Sequence, residues 1–256
     1  MKQKYPAEAF ALGIVLFSAG MREAFAAGIL VILTVVFAEF LKNLLETCSL
    51  PDWSLRFCVY IAAGAVGASA FLLGFAGLGI LLDRGQWLMA FVAGLLCAHQ
   101  ALRGCIEADY GELLWESAIV WGFWILLAIA REFAGSGQIF GNLILQADFQ
   151  SAAFQDTAFA FIAAGLALAF TNGVLKKSSK GGLSQFIVVP VMALAPPFAA
   201  HFLGELAGWF WAFAVSVVLF ESVKLTLRFS RPGKAYRGLP VEMLAAGCIY
   251  MILSIY

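Results

Sequence analysis

The chain has 256 residues, of which 62% are hydrophobic and only 12% charged, with a mean hydropathy of +0.91. Soluble domains average about 45–50% apolar and about 25% charged, so the composition excludes a water-soluble globule and implies a membrane protein. Sixteen basic and sixteen acidic side chains cancel, leaving no net field to recruit nucleic acid or an anionic surface.

A membrane-crossing helix needs about 20 mostly apolar residues, and charge and turn clusters divide the chain accordingly. The N-terminus, MKQKYPAEAFALGIVLFSAGMRE, has the basic start and apolar run of a signal peptide, but further apolar segments follow at once, so it reads as an uncleaved first span over about 7–20. Spans follow over about 22–45, 55–82, 86–103 and 114–133. The polar loop GSGQIFGNLILQADFQ, whose opening GSG reads as a flexible turn, leads to a sixth span at about 154–175. After KKSSKGG come three more, at about 184–202, 206–228 and 239–256. The expected fold is an all-α polytopic transmembrane helix bundle of about nine spans.

Basic residues orient such a bundle, because cytoplasmic loops collect Lys and Arg. Thirteen fall on one side (Lys2, Lys4, Lys42, Arg56, Arg103, Lys176, Lys177, Lys180, Lys224, Arg228, Arg231, Lys234 and Arg237) and three on the other (Arg22, Arg84 and Arg131). That skew puts the N-terminus inside and the C-terminus outside. The third span, IAAGAVGASAFLLGFAGLGI, carries small residues at near-helical spacing and is expected inside the bundle. Pro190, Pro196 and Pro197 interrupt the seventh, which reads either as a kinked packing helix or as the broken helix of a binding site.

Ionisable groups at membrane depth are costly unless they face the bundle interior. Glu39 lies one turn from Lys42 and Glu221 three residues before Lys224. Each reads as an interfacial ion pair or as a carboxylate on a proton or sodium path. His201 and Glu205 stand four apart but lack the further ligands a metal needs. His99 and Gln100, near Cys97, read as a hydrogen-bonding cluster between helices. Arg131 and Glu132 close the fifth span ahead of GSG, as a helix stop with an interfacial salt bridge would. The five cysteines (Cys48, Cys58, Cys97, Cys105 and Cys248) show no CxxC spacing.

Several stretches resemble a known family in order along the chain. AREFAGSGQIFG, with Arg131, Glu132, Gly135 and Gly137, is similar to the RE-x-x-GSG-x-LFG stretch of the E-type membrane protein of the Rnf complex and its D-type counterpart in the Nqr complex. LPDWSLRFCVYI, with Arg56, resembles the family's run into its third helix. HQALRGCIEA resembles NCxxxGRAEA at the end of the fourth, and AFIAAGLALAFTNGVLKK, with Asn172, its last helix. RPGKAYRGLPVEMLAAGCIYMILS, with Arg237 and Gly238, resembles instead the end of the A-type membrane protein of the Rnf complex. The resemblance divides the chain into a six-helix unit like the Rnf E-type and Nqr D-type proteins over 1–180 and a three-helix unit like the Rnf A-type protein over 181–256.

The resemblance implies membership of an ion-translocating electron-transport complex of the cytoplasmic (inner) membrane. Other Rnf/Nqr-type membrane subunits would be its partners, with sodium ions or protons as the cargo. It also implies a [2Fe-2S] cluster held by four cysteines, two from an E-type and two from an A-type protein. The sequence departs from that pattern: Gln100 stands at the family's fourth-helix cysteine position, and Cys97 lies three residues early. The first and seventh helices lack the expected motifs too. A structural or ion-pathway role therefore fits better than a cluster-holding one, with Glu39 and Glu221 as ion-path candidates. A secondary transporter without redox chemistry is the competing class.

Overall fold

A computed structural model describes residues 3–48, 51–103, 110–179, 182–194, 204–226 and 233–253. Its α-helices, in chain order, are α1 (Ala7–Phe17), α2 (Met21–Glu46), α3 (Asp52–Gly77), α4 (Arg84–Arg103), α5 (Tyr110–Ser136), α6 (Thr157–Leu175), α7 (Gln185–Leu194), α8 (Glu205–Thr226) and α9 (Leu239–Leu253). Among the described residues the helices fall where the apolar segments predicted them. Over the described residues, five of them, α2 to α6, are long and apolar enough to cross a membrane.

The first helix departs from expectation. α1 has 11 residues, roughly 16 Å at 1.5 Å per residue, about half of a bilayer's apolar core. Almost all of its side chains are buried, and it packs against α2, α4, α5, α6 and α7. It is therefore the centre of the bundle rather than a full-length span, and the chain breaks at Ser18 before α2 begins.

Glycines set the closest helix contacts, because in lipid small residues let backbones approach. A Cβ on Gly94 of α4 would stand 2.4 Å from the Ala63 carbonyl oxygen of α3. One on Gly28 of α2 would lie 2.0 Å from the Trp121 ring of α5. One on Gly165 of α6 would meet Leu244 of α9 at 2.6 Å. This last contact docks the 181–256 stretch on the rest of the chain.

The buried small residues of α3, Ala63, Gly64, Gly67 and Ala68, form its contact face. Gly64 faces α4 and Gly67 faces both α2 and α4, while Phe57, Ile61, Leu72 and Leu73 are exposed. The helix lies at the edge of the bundle and not inside it, because a small-residue stripe covers only the contact face.

A short hairpin follows α5. Gly137 (φ 70°) ends α5 in the left-handed conformation, its N–H donating to the Phe133 carbonyl at 2.9 Å. Strands β1 (Gln138–Ile139) and β2 (Asn142–Leu143) then pair antiparallel, Ile139 opposite Asn142. Phe140 and Gly141 form the two-residue turn, both with positive φ (59° and 78°), as a type I′ hairpin requires. A 3-10 turn (Ala152–Gln155) leads into α6.

Candidate functional site

Polar side chains gather at the two ends of α5. Glu116, near its start, and Arg131, near its end, are 15 residues apart, roughly 22 Å along the helix. At the far end Arg131 and Glu132 are both buried, and their hydrogen bonds run to other partners and not to each other. Arg131 donates to the Phe154 carbonyl (2.9 Å), the Asp156 carbonyl (3.0 Å) and the Ser18 hydroxyl. It ties the 3-10 turn and the start of α6 to the α1–α2 break.

Glu132 accepts from the Met21 N–H (2.8 Å) through Oε2 and from the Gly141 N–H (2.7 Å) through Oε1. Met21 opens α2, where backbone N–H groups have no partner within the helix and the helix dipole favours negative charge. Gly135 abuts Gln155, and a Cβ on Gly137 would lie 1.9 Å from the Leu145 carbonyl oxygen. The expected interfacial salt bridge is thus replaced by a clasp on three backbone segments. An Arg has five donors in a fixed fork, and buried carbonyls use them well.

At the near end the N-terminal segment is clasped in the same manner. Glu116, 1% exposed, accepts from the backbone N–H groups of Lys4 (2.8 Å) and Tyr5 (3.2 Å) and from Lys177 Nζ (2.5 Å). Lys177 also reaches Glu112 at 2.8 Å, and Lys4 Nζ meets Glu112 at 2.6 Å. The hydrogen bonds to Glu112 and then Glu116 raise the Lys177 pKa, and burial followed by the nearby Glu116 charge raises that of Tyr5.

Asn172 accepts from Gln3 Nε2 (2.8 Å) and donates to Ser179 Oγ and the Ala235 carbonyl, both at 3.0 Å. Gln100 donates to the Gln3 and Lys4 carbonyls, each at 3.2 Å. His99 joins α4 to α3, its Nδ1 2.6 Å from the Tyr60 hydroxyl. Arg56 and Arg237 are exposed, and Gly238 (φ 87°) turns the chain into α9.

Sequence reasoning missed Glu112 and Glu116. Their spacing of four at the start of a helix puts both on one face, but Lys177 lies 61 residues beyond Glu116. Nothing local announces that pairing.

The two ion-path candidates have different surroundings. Glu39 is 1% exposed, and among the described residues neither carboxyl oxygen has a hydrogen-bond partner. Lys42, expected beside it, acts on Glu39 through its charge and also forms a salt bridge with Glu46 at 3.8 Å, at i,i+4 spacing near the open end of α2. Glu221 accepts from Gln185 Nε2 of α7 at 2.5 Å in an exposed position.

The described cysteines do not fit an iron–sulfur cluster. Cys97 is buried in the core with its thiol 4.0 Å from the Val31 carbonyl, while Cys48, Cys58 and Cys248 are exposed on separate segments. Gln100 is committed to backbone carbonyls. Among the described residues no group of three or more His, Cys, Asp or Glu is placed to hold a metal ion. His201, Pro196, Pro197 and Cys105 lie outside the described residues, as does the Glu205 side chain. α7 continues through Pro190.

Comparison with protein-family models, curated proteins and solved structures finds no match to this chain.

Proposed function

We propose that the chain is an integral membrane subunit of an Rnf/Nqr-type ion-translocating electron-transport complex, seated in the cytoplasmic (inner) membrane. Its role is structural or ion-conducting, with the intramembrane [2Fe-2S] site degenerate. The observation that carries the reading is the clasp at the end of α5. Arg131, Glu132 and Gly137, which carry the strongest sequence resemblance, hold three backbone segments together and need no cluster. A scaffold can keep those residues for its own architecture after losing thiolate ligands. Gln100, at the family's cysteine position, supports the same view, because it fastens the N-terminal segment. The buried carboxyl of Glu39 supports the ion-conducting alternative.

Gentle extraction of the tagged full chain from its native membrane, followed by mass spectrometry, tests this. Other Rnf/Nqr-type membrane subunits are expected to accompany it. Recovery of the chain alone and iron-free, still moving a solute in vesicles, would instead support a secondary transporter.

A further inference from the structure

We propose that Glu39 is a proton-binding site: its carboxyl takes up H⁺ in the seam between α2 and α5, and it does not bind sodium. This rests on the ion-conducting part of the function proposed above.

The seam follows from helix periodicity and two contacts. Gly28 of α2 abuts Trp121 of α5, and Asn43 of α2 donates to the Tyr110 hydroxyl of α5 at 2.8 Å. At 100° per residue, Glu39 falls on the α2 stripe that contains Gly28 and Asn43. Ser117 falls on the α5 stripe that contains Tyr110 and Trp121. Glu39 and Ser117 therefore face one seam, lined between these contacts by a buried carboxyl and a buried hydroxyl that both lack hydrogen-bond partners among the described residues. Its Asn43–Tyr110 end is exposed, one helical turn from Glu39.

An ionised carboxylate buried without a partner costs several kcal/mol, and such a group neutralises itself instead. Protonation is the neutralisation available here. On α2, the charges of Lys42 and Glu46 both act on Glu39 and oppose each other, while Lys42 forms a salt bridge with Glu46 at 3.8 Å. On α3 and α4, Tyr60 and His99 bond each other, and Arg56 and Arg103 are exposed. On α5, Tyr110 serves Asn43, while Glu112 and Glu116 are turned to Lys4 and Lys177. On α1, Glu8 accepts from the backbone N–H groups of Gly182 and Leu183. A hard cation wants about six oxygen ligands. Among the described residues the unpartnered side-chain oxygens of the seam are the two of Glu39 and the hydroxyl of Ser117, fewer than such a cation wants, so the seam favours a proton over sodium.

Dicyclohexylcarbodiimide, which attacks protonated carboxyl groups in apolar surroundings, tests the site in membranes containing the full chain, with labelled peptides mapped by mass spectrometry. Glu39 is expected to be labelled, at a rate falling roughly tenfold per pH unit above its midpoint, as the protonated fraction does. Replacing choline chloride by sodium chloride at equal ionic strength should leave the rate unchanged. Glu39→Gln removes the label. Should that variant fail to accumulate, the mapped site in the natural chain still decides the matter. An unlabelled Glu39, or protection by sodium, overturns the proposal. Labelling does not depend on partner subunits, so its failure is distinguishable from a failure of co-purification.

Discussion

Replacing Glu132 by glutamine isolates the clasp at the end of α5. The carboxylate serves two backbone donors with separate oxygens, Met21 N–H at 2.8 Å and Gly141 N–H at 2.7 Å. An amide keeps one acceptor and turns an NH2 toward the other donor. One hydrogen bond to a charged group is lost, worth about 1.5–3 kcal/mol, and the dipole of α2 loses a compensating charge worth up to about 1 kcal/mol. A local loss of about 2–3 kcal/mol corresponds to roughly 30- to 150-fold in the opening equilibrium. Hydrogen exchange read at single-amide resolution reports it directly. Met21 stands in the first turn of α2, where helical geometry supplies no partner, and Gly141 lies in the hairpin turn outside the β1–β2 register. At least one of these two amides should exchange faster by that factor, with the core of α2 unaffected. Unchanged protection of both in Glu132→Gln would refute the clasp.

Further outcomes follow from the same geometry. Gly137→Ala places a Cβ 1.9 Å from the Leu145 carbonyl at a positive φ, so residues 138–150 should become accessible to limited proteolysis while α5 stays folded. Gly94→Ala drives a Cβ to 2.4 Å from the Ala63 carbonyl; overpacking of this kind costs about 1–3 kcal/mol and should lower the unfolding temperature in detergent. Lys177→Met leaves the Glu116 carboxylate, 1% exposed, without its cation, and removing one partner of a buried pair costs about 3–5 kcal/mol; thermal unfolding checks it. Because the Lys177 pKa is raised above its ordinary 10.5, its contribution is fully present below that value and is lost as pH rises through the raised one. Alkaline titration of stability should therefore show a fall above the ordinary lysine range that Lys177→Met abolishes.

Most of the helix layout was legible because apolar runs of membrane length leave a plain signal in sequence. The length of α1 was not. ALGIVLFSAG is apolar throughout, and what shortens the helix is the break at Ser18, whose hydroxyl receives Arg131 from 113 residues away. The edge position of α3 was equally hidden, since a stripe of small residues announces a close contact without saying whether the other face meets protein or lipid. Arg131 and Glu132 stood out by their charge at the end of an apolar helix, but adjacent opposite charges suggest each other as partners, whereas here each is spent on backbone groups. The GSGQIFG loop looked flexible because its glycines allow many conformations; the structure uses two of them, Gly137 and Gly141, to hold positive φ in a tight hairpin. Glu39 was visible as an anomaly, and only the packing showed that its oxygens have no hydrogen-bond partner among the described residues.

The proposed function has the chain serve redox-driven ion movement in a multi-subunit complex. Membrane vesicles prepared with and without the chain, energised by electron transfer and monitored for cation movement, test that directly. Ion movement driven by electron transfer should disappear without the chain and return when it is restored. Undiminished movement in vesicles that lack it would contradict the account.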